Sequence, residues 1–152
     1  MSVRLFYILT AAFYSDHQDL KEIMKKQNRP YFMYQLIVNG IEFAIPLRSH
    51  IDHNDYFFIG YSPEGDKCGI DYSKAVIITD KNRYLESTTV KIRKSEYMMI
   101  VGKEHLIKKG FLKYIKKYVK AYKIVSQGKG SSAEQAVCQY STLQNYHNEL
   151  GI

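Results

Sequence analysis

Tryptophan is absent from this 152-residue chain, cysteine occurs twice and proline three times. Cys68 and Cys138 stand far apart and outside any C-x-x-C pattern. That spacing argues against a disulfide scaffold or a thiolate zinc site and fits a reducing cytosol. No apolar run approaches the length of a membrane-spanning helix. The first fourteen residues lack a basic n-region, a sustained apolar stretch and a small-residue cleavage site, so no signal peptide is expected and the location expected is cytoplasmic. Gly60, Gly65 and Gly69 do not sit between a strand and a helix, which leaves a nucleotide-binding loop unsupported. The scattered Ser, His and Asp residues form no hydrolase elbow.

What the chain does have is tyrosine, with 14 copies, and positive charge, with a formal net of +7. Apolar residues make up 45% of the chain, enough for a globular core and too many for disorder. At this length one domain, residues 1–152, is expected. A basic surface favours polyanions because phosphate neutralisation releases counterions; the competing reading is a merely soluble basic protein.

Hydrophobic patterning gives the elements. Residues 3–9 read as a strand, and Asp16 is placed to cap a helix through residue 27 with Leu20, Ile23 and Met24 on its apolar stripe. Arg29-Pro30 ends that helix. Residues 31–38 and 41–47 flank Asn39-Gly40, a type I′ hairpin signal. The two-residue turn predicts the pairs Val38–Ile41, Leu36–Phe43, Tyr34–Ile45 and Phe32–Leu47 on one core face, with Gln35 and Glu42 on a wetter one. Residues 56–61, 75–79 and 88–92 read as further strands, and residues 62–69 as a loop. Residues 103–125 carry Ile107, Phe111, Ile115, Tyr118 and Tyr122 at helical spacing. Ser131 with Glu134 forms a capping box for a last helix through residue 150. The sum is an α+β chain: a twisted, mainly antiparallel sheet or partial barrel decorated by helices, two of them C-terminal.

Three sets of residues carry chemistry. Arg48-Ser49-His50-Ile51-Asp52-His53-Asn54-Asp55 follows directly off a rigid strand, a good platform for a site. Arg48 offers a planar donor fork for phosphate, Ser49 a hydroxyl, and His50 and His53 imidazoles suited to proton transfer. The competing reading is a polar loop with incidental histidines. His50, Asp52, His53 and Asp55 are also metal-ligand types, but strand alternation sends His53 to the face opposite His50 and Asp52, so no metal site is expected. On the long helix, Lys109, Lys113, Lys116, Lys117, Lys120 and Lys123 fall opposite the apolar stripe, and Glu104 is the only acid between Lys103 and Lys123. That face is either an ordinary solvated surface or an RNA-backbone groove. Tyr31, Tyr56 and Tyr61 can pack in a core or stack on unpaired bases.

Several blocks taken together resemble the ToxN/AbiQ/CptN/TenpN family of type III toxins, closest to the TenpN and CptN branches. They are Arg29-Pro30-Tyr31, then Gly40-Ile41-Glu42-Phe43-Ala44-Ile45-Pro46-Leu47-Arg48-Ser49-His50-Ile51, then Gly69-Ile70-Asp71-Tyr72-Ser73-Lys74-Ala75-Val76-Ile77-Ile78. The Phe6-Tyr7 and Tyr140-Ser141-Thr142-Leu143-Gln144 segments look similar as well. The resemblance implies a Kid/MazF-like fold and a metal-independent endoribonuclease that needs no cofactor. It implies a role in phage defence and a partner, a small repeated pseudoknot RNA antitoxin, which the toxin processes and which inhibits it in a closed protein–RNA assembly. It implies cleavage to 2′,3′-cyclic phosphate and 5′-hydroxyl ends. The family's Pro-Leu-x-Ser block puts its serine on Ser49. Where relatives continue Pro-Lys, this chain has His50-Ile51, which leaves Arg48, His50, His53 and Lys74 as candidates for the cationic and proton-transfer roles. An N-terminal tyrosine of some relatives falls near Phe13, with Tyr14 beside it; Tyr14 and Tyr31 join the six lysines as RNA-binding candidates. The alternative is a non-catalytic RNA-binding module.

Overall fold

The computed structural model describes residues 4–152. In chain order its elements are β1 (Phe6–Ile8), α1 (Ala11–Asp16), β2 (Pro30–Phe32), β3 (Ile37–Val38), β4 (Ile41–Arg48), β5 (Tyr56–Tyr61), β6 (Lys67–Asp71), β7 (Val76–Ile77), α2 (Lys81–Tyr84), α3 (Lys94–Ile100), α4 (Glu104–Ser126), α5 (Ser132–Gln139) and α6 (His147–Leu150). Two 3₁₀ turns, Tyr72–Lys74 and Thr142–Asn145, sit between them. The strands form one open sheet in the order β1-β2-β4-β6-β5, with β3 and β7 also paired to β4 and every pairing antiparallel. The α+β expectation holds. Among the described residues no helix is long and apolar enough to cross a membrane.

β4 is the spine of the sheet, and alternation splits its side chains between two cores. Phe43, Ile45 and Leu47 face a large cluster with Ile107, Phe111 and Tyr118 of α4. Ala44 faces a second cluster with Phe13 of α1, Tyr31, Val76 and Tyr84 of α2. Full burial of one large aliphatic side chain contributes about 1.5–3 kcal/mol, so a strand buried on both faces anchors everything paired to it. The second face, expected to be wet, is therefore dry along the middle of β4; Gln35 and, opposite Glu42, Ile37 are exposed there, and half-buried Glu42 meets Lys81 at 2.7 Å.

The Asn39-Gly40 turn forms as expected, with φ of +53° and +76° and the pairs Val38–Ile41 and Ile37–Glu42. Further on, the register departs from the sequence reading: Phe32 faces Ile45, not Leu47, and Tyr31 faces Pro46. Residues 33–36 bulge out, with Gln35 at φ +53°, and absorb two extra residues. Because the slip is even, Phe32 and Leu36 still reach the core face.

Other elements move for local reasons. The first helix spans Ala11–Asp16, not residues 16–27, with Thr10 as its cap. Asp16 is unavailable as a cap: its carboxylate takes Arg83 at 2.7 and 3.1 Å and the Tyr84 hydroxyl at 2.8 Å. Residues 17–29 form turns and irregular chain, although Ile23 still enters the second core. Of the strand expected over residues 3–9, β1 covers Phe6–Ile8, and Val3 lies outside the described residues. The expected loop at 62–69 is shorter, since β6 begins at Lys67. The strand expected at 75–79 shrinks to the two residues of β7, off the central path of the sheet. Residues 88–92 are not a strand: the Arg4 guanidinium ties up the carbonyls of Glu86, Ser87 and Thr88 nearby. Ser131 caps α5 as expected, but that helix stops at Gln139. Buried Ser141 and Thr142 turn the chain there, Ser141 accepting from Tyr114 at 2.7 Å and Thr142 donating to the carbonyls of Ser73 and Ala75.

Candidate active site

The end of β4 and the end of β6 lie side by side, with Leu47 opposite Ile70 and Arg48 opposite Gly69. Two residues past Gly69, Asp71 is fully buried and caps the Tyr72–Lys74 turn through Ser73. Both oxygens of its carboxylate are engaged. Oδ2 accepts from Arg48 Nη1 at 2.6 Å and lies 3.3 Å from His53 Nε2. Oδ1 accepts from the Ser73 hydroxyl at 2.6 Å and from the Ser73 amide at 3.0 Å. Burial alone pushes this carboxyl upward, but the hydrogen bonds from His53, Ser73 and Arg48 override it and hold it below the usual carboxylate range.

His53 is committed at both ring nitrogens. Nδ1 accepts the Asp55 amide at 3.0 Å, which assigns the remaining proton to Nε2, facing Asp71. Arg48, Asp52, His53, Asp55, Ser73 and Lys74 line a depression of about 430 Å³, with Tyr114, Val137 and Tyr140 as its far wall. Lys74 Nζ donates to the Tyr140 carbonyl and to the Glu22 carboxylate, both at 2.9 Å. Lys117 of α4 pairs with Asp55 at 2.8 Å.

A second depression, about 300 Å³, opens on the other side of the β4 end. Ser49 lines it together with Arg29, Lys91 and Arg93. Arg48 belongs to both depressions. Arg29 Nη1 donates to the Leu47 carbonyl at 2.9 Å, which ties the residue just before β2 to the same strand end.

The structure thus brings Arg48, His53 and Lys74 into one cleft and sets Ser49 in the adjoining groove. His50 belongs to neither: it is 72% exposed at its side chain, stands at φ +57° and pairs with Asp66 at 3.2 Å. The mixed His and Asp cluster of the sequence is dispersed, with His50 on Asp66, His53 on Asp71 and Asp55 on Lys117. Among the described residues no group of three or more His, Cys, Asp or Glu side chains is placed to hold a metal ion.

Tyr31 is fully buried in the second core and offers no face to a base; burial drives its phenol far above the ordinary value. Tyr14 is half-buried on α1, and burial raises its phenol too. Lys109, Lys113, Lys116, Lys117, Lys120 and Lys123 are all exposed on α4. At about 3.6 residues per turn they occupy roughly a third of its circumference. Lys117 links that stripe to the cleft rim.

Sequence reading missed Asp71, Ser73, Glu22, Arg29, Lys91 and Arg93. Asp71-Tyr72-Ser73 had a usable signal, the Asp-x-Ser spacing of a side-chain-capped turn just after a strand. Glu22, Lys91 and Arg93 had none, since each is an ordinary surface charge until the fold places it.

No known family model matches the chain, and no curated protein matches it. Among solved structures, one chain superposes with a TM-score of 0.63 over 97% of both chains at 12% sequence identity. That structure is described as giving new insights into bacterial type III toxin–antitoxin systems, with selective toxin inhibition by a non-coding RNA pseudoknot. At this identity the likeness establishes the fold, an antiparallel sheet with helices packed on it.

Proposed function

We propose that the chain is an endoribonuclease toxin of a type III toxin–antitoxin system, which cleaves RNA without a metal and is inhibited by a pseudoknot RNA. The observation that carries this reading is the placement of Arg48. It is a guanidinium held at 2.6 Å by a wholly buried carboxylate, at a strand end shared by two depressions. The fold shared with a chain from a toxin–pseudoknot study supports it, as do the block resemblance and the lysine stripe. A nuclease that uses the substrate's own hydroxyl as nucleophile needs little more than charge stabilisation and a proton acceptor.

In the proposed reaction the scissile phosphate sits over the end of β4. Arg48 takes a non-bridging oxygen with the part of its guanidinium that Asp71 leaves free. Lys74 supports it from the cleft, and Ser49 donates from the groove side. The ribose 2′-oxygen forms a bond to phosphorus as its proton passes to His53 Nδ1, which releases the Asp55 amide to accept it. The bond from phosphorus to the 5′-oxygen breaks, and that oxygen leaves with a proton from water. The resulting hydroxide takes the proton from His53 Nδ1 and restores the neutral imidazole. The products are a 2′,3′-cyclic phosphate and a 5′-hydroxyl; DNA, with no 2′-hydroxyl, is not cut. Exposed His50 contributes substrate contact outside the two depressions, and Tyr14 and the α4 lysines contribute to RNA binding. Tyr31 supports the site from the core.

The test is incubation of the purified chain with a long mixed-sequence RNA in excess chelator, followed by end-group analysis. Discrete fragments with cyclic-phosphate ends, lost in Ser49→Ala and Lys74→Ala, are expected. Fragments with 3′-hydroxyl and 5′-phosphate ends would overturn the mechanism. Tight RNA binding with no cleavage, after a denaturing purification that strips bound RNA, would establish the binding-module alternative instead.

A further inference from the structure

The register of the sheet continues the proposed site outward along one face. Arg48 of β4 faces Gly69 of β6, and Gly69 faces Phe58 of β5. Asp71 faces Tyr56, and Lys67 faces Tyr61. Side chains directly opposite one another in a sheet point to the same side. Arg48, Asp71, Lys67, Tyr56, Phe58 and Tyr61 therefore share a face, while Leu47, Ile70 and Phe57 turn to the helical core.

Two features shape that face. A Cβ on Gly69 would strike the Tyr56 ring and the Phe57 carbonyl oxygen, so the absence of a side chain there lets Tyr56 fold across the row. Its ring meets His53 edge to face, with centroids 6.2 Å apart. The second feature is the bulge between Phe58 and Gly60. In a regular strand, residues three apart point to opposite faces. The extra residue, Ile59, turns Tyr61 back onto the side of Phe58, and the two rings pack edge to face at 5.3 Å. Phe58 is left 39% exposed and Tyr61 61% exposed.

Large aromatic rings on the open edge of a sheet carry a cost in solubility and edge protection, which calls for an occupant. The charges beside the rings fit a polyanion. Lys67 stands opposite Tyr61 and has no ion pair among the described residues. Arg48 lies two strands in, about 10 Å away by ordinary strand spacing. Of the acids at the hairpin tip, Asp66 lies 3.2 Å from His50, and Glu64 is exposed.

We infer that Tyr56, Phe58 and Tyr61 form a stacking platform for unpaired RNA bases adjoining the phosphate held at Arg48, so that the substrate is single-stranded at the cleavage site. This inference rests on the endoribonuclease reading. Bases in a duplex keep their faces stacked on one another and cannot be received here.

The test uses a short unstructured oligonucleotide with 2′-O-methyl groups, which cannot be cleaved by the proposed route, and the same sequence annealed to its complement. Tyr61→Ala and Phe58→Ala should each weaken binding of the single strand by about 5- to 150-fold, the range for one stacked base. The salt dependence of binding should stay unchanged, because neither ring neutralises a phosphate. Duplex affinity should not move. Tyr61→Trp introduces the chain's sole tryptophan, and its fluorescence should be quenched by the single strand and not by the duplex. Unchanged affinity of Tyr61→Ala, or equal quenching by both ligands, would overturn the platform while leaving the nuclease reading intact. Self-association of the wild-type chain that Tyr61→Ala abolishes would also overturn it, by identifying a protein interface. Failure of the wild-type chain to bind either RNA would bring down both.

Discussion

Arg48 and Asp71 meet at 2.6 Å across the β4–β6 pair, with the carboxylate wholly buried and the guanidinium still open to the cleft. Breaking such a pair leaves a charge without its partner in a poorly solvated place. Asp71→Asn keeps the shape and removes the charge, and it should destabilise the fold by about 3 kcal/mol, the low end for a broken buried pair because Arg48 still reaches water. Urea denaturation of the two proteins at neutral pH checks this. A change within experimental error would mean that Arg48 does not depend on Asp71.

The cleft holds an internal competitor for the proposed RNA substrate. Glu22 occupies Lys74 at 2.9 Å, and the segment carrying it is fastened to the Thr142–Asn145 turn by Asn145, which bonds the Lys21 amide at 2.9 Å and carbonyl at 2.8 Å. An RNA phosphate must displace that carboxylate to reach Lys74. Glu22→Gln should therefore tighten RNA binding several-fold while changing stability by no more than about 1 kcal/mol, the upper end for a pair whose acidic partner is exposed. Titration at fixed salt reads the first quantity and thermal melting the second. Weaker binding would show that Glu22 assists the substrate.

The lysine stripe of α4 makes a separate, electrostatic claim. For each phosphate that a removed lysine no longer neutralises, the slope of log affinity against log salt should shrink by about 0.7 for a single strand. Lys113→Ala and Lys120→Ala are good probes, because neither lysine lines the cleft. Binding measured over a salt series decides it; an unchanged slope in the double variant would make the stripe a plain solvated surface.

Acid should weaken the fold in two stages. His147 packs against Tyr122 at 4.2 Å and shares a 2.7 Å hydrogen bond with the Tyr118 hydroxyl, and burial holds its imidazole below the ordinary value. The folded state thus prefers the neutral ring. That contribution is complete above the unfolded value of about 6.5 and falls away as pH drops through the lower, folded one. The depressed Asp71 carboxyl adds a second stage below about pH 4, the ordinary Asp range. Urea midpoints at pH 7 and pH 5 should differ in the wild-type chain and differ less in His147→Gln. Equal shifts in both would show that His147 plays no part in the acid response.

Much of the fold was legible because short-range chemistry decided it. Asn39-Gly40 set its turn, the α4 stripe set its buried face, and Ser131 set its cap. The register beyond the hairpin was not legible, since the bulge at residues 33–36 answers to packing on both faces of β4. Asp16 misled as a cap because its partners, Arg83 and Tyr84, lie 67 and 68 residues away. The candidate site divides in the same way. Arg48, Ser49 and His53 could be named from their place after a strong strand. Asp71 carried only a turn-capping signal in the sequence; its hold on Arg48 and His53 became visible when β6 was laid beside β4.

The most direct measurement is the single-turnover cleavage rate of an unstructured RNA, under saturating protein and excess chelator, for the wild-type chain and Arg48→Ala. Removing one well-aimed donor to the reacting phosphate typically slows chemistry by about 100- to 1,000-fold. If Arg48 stabilises that phosphate, Arg48→Ala will show a fall of that order with RNA still bound. Equal rates in the two proteins would contradict it.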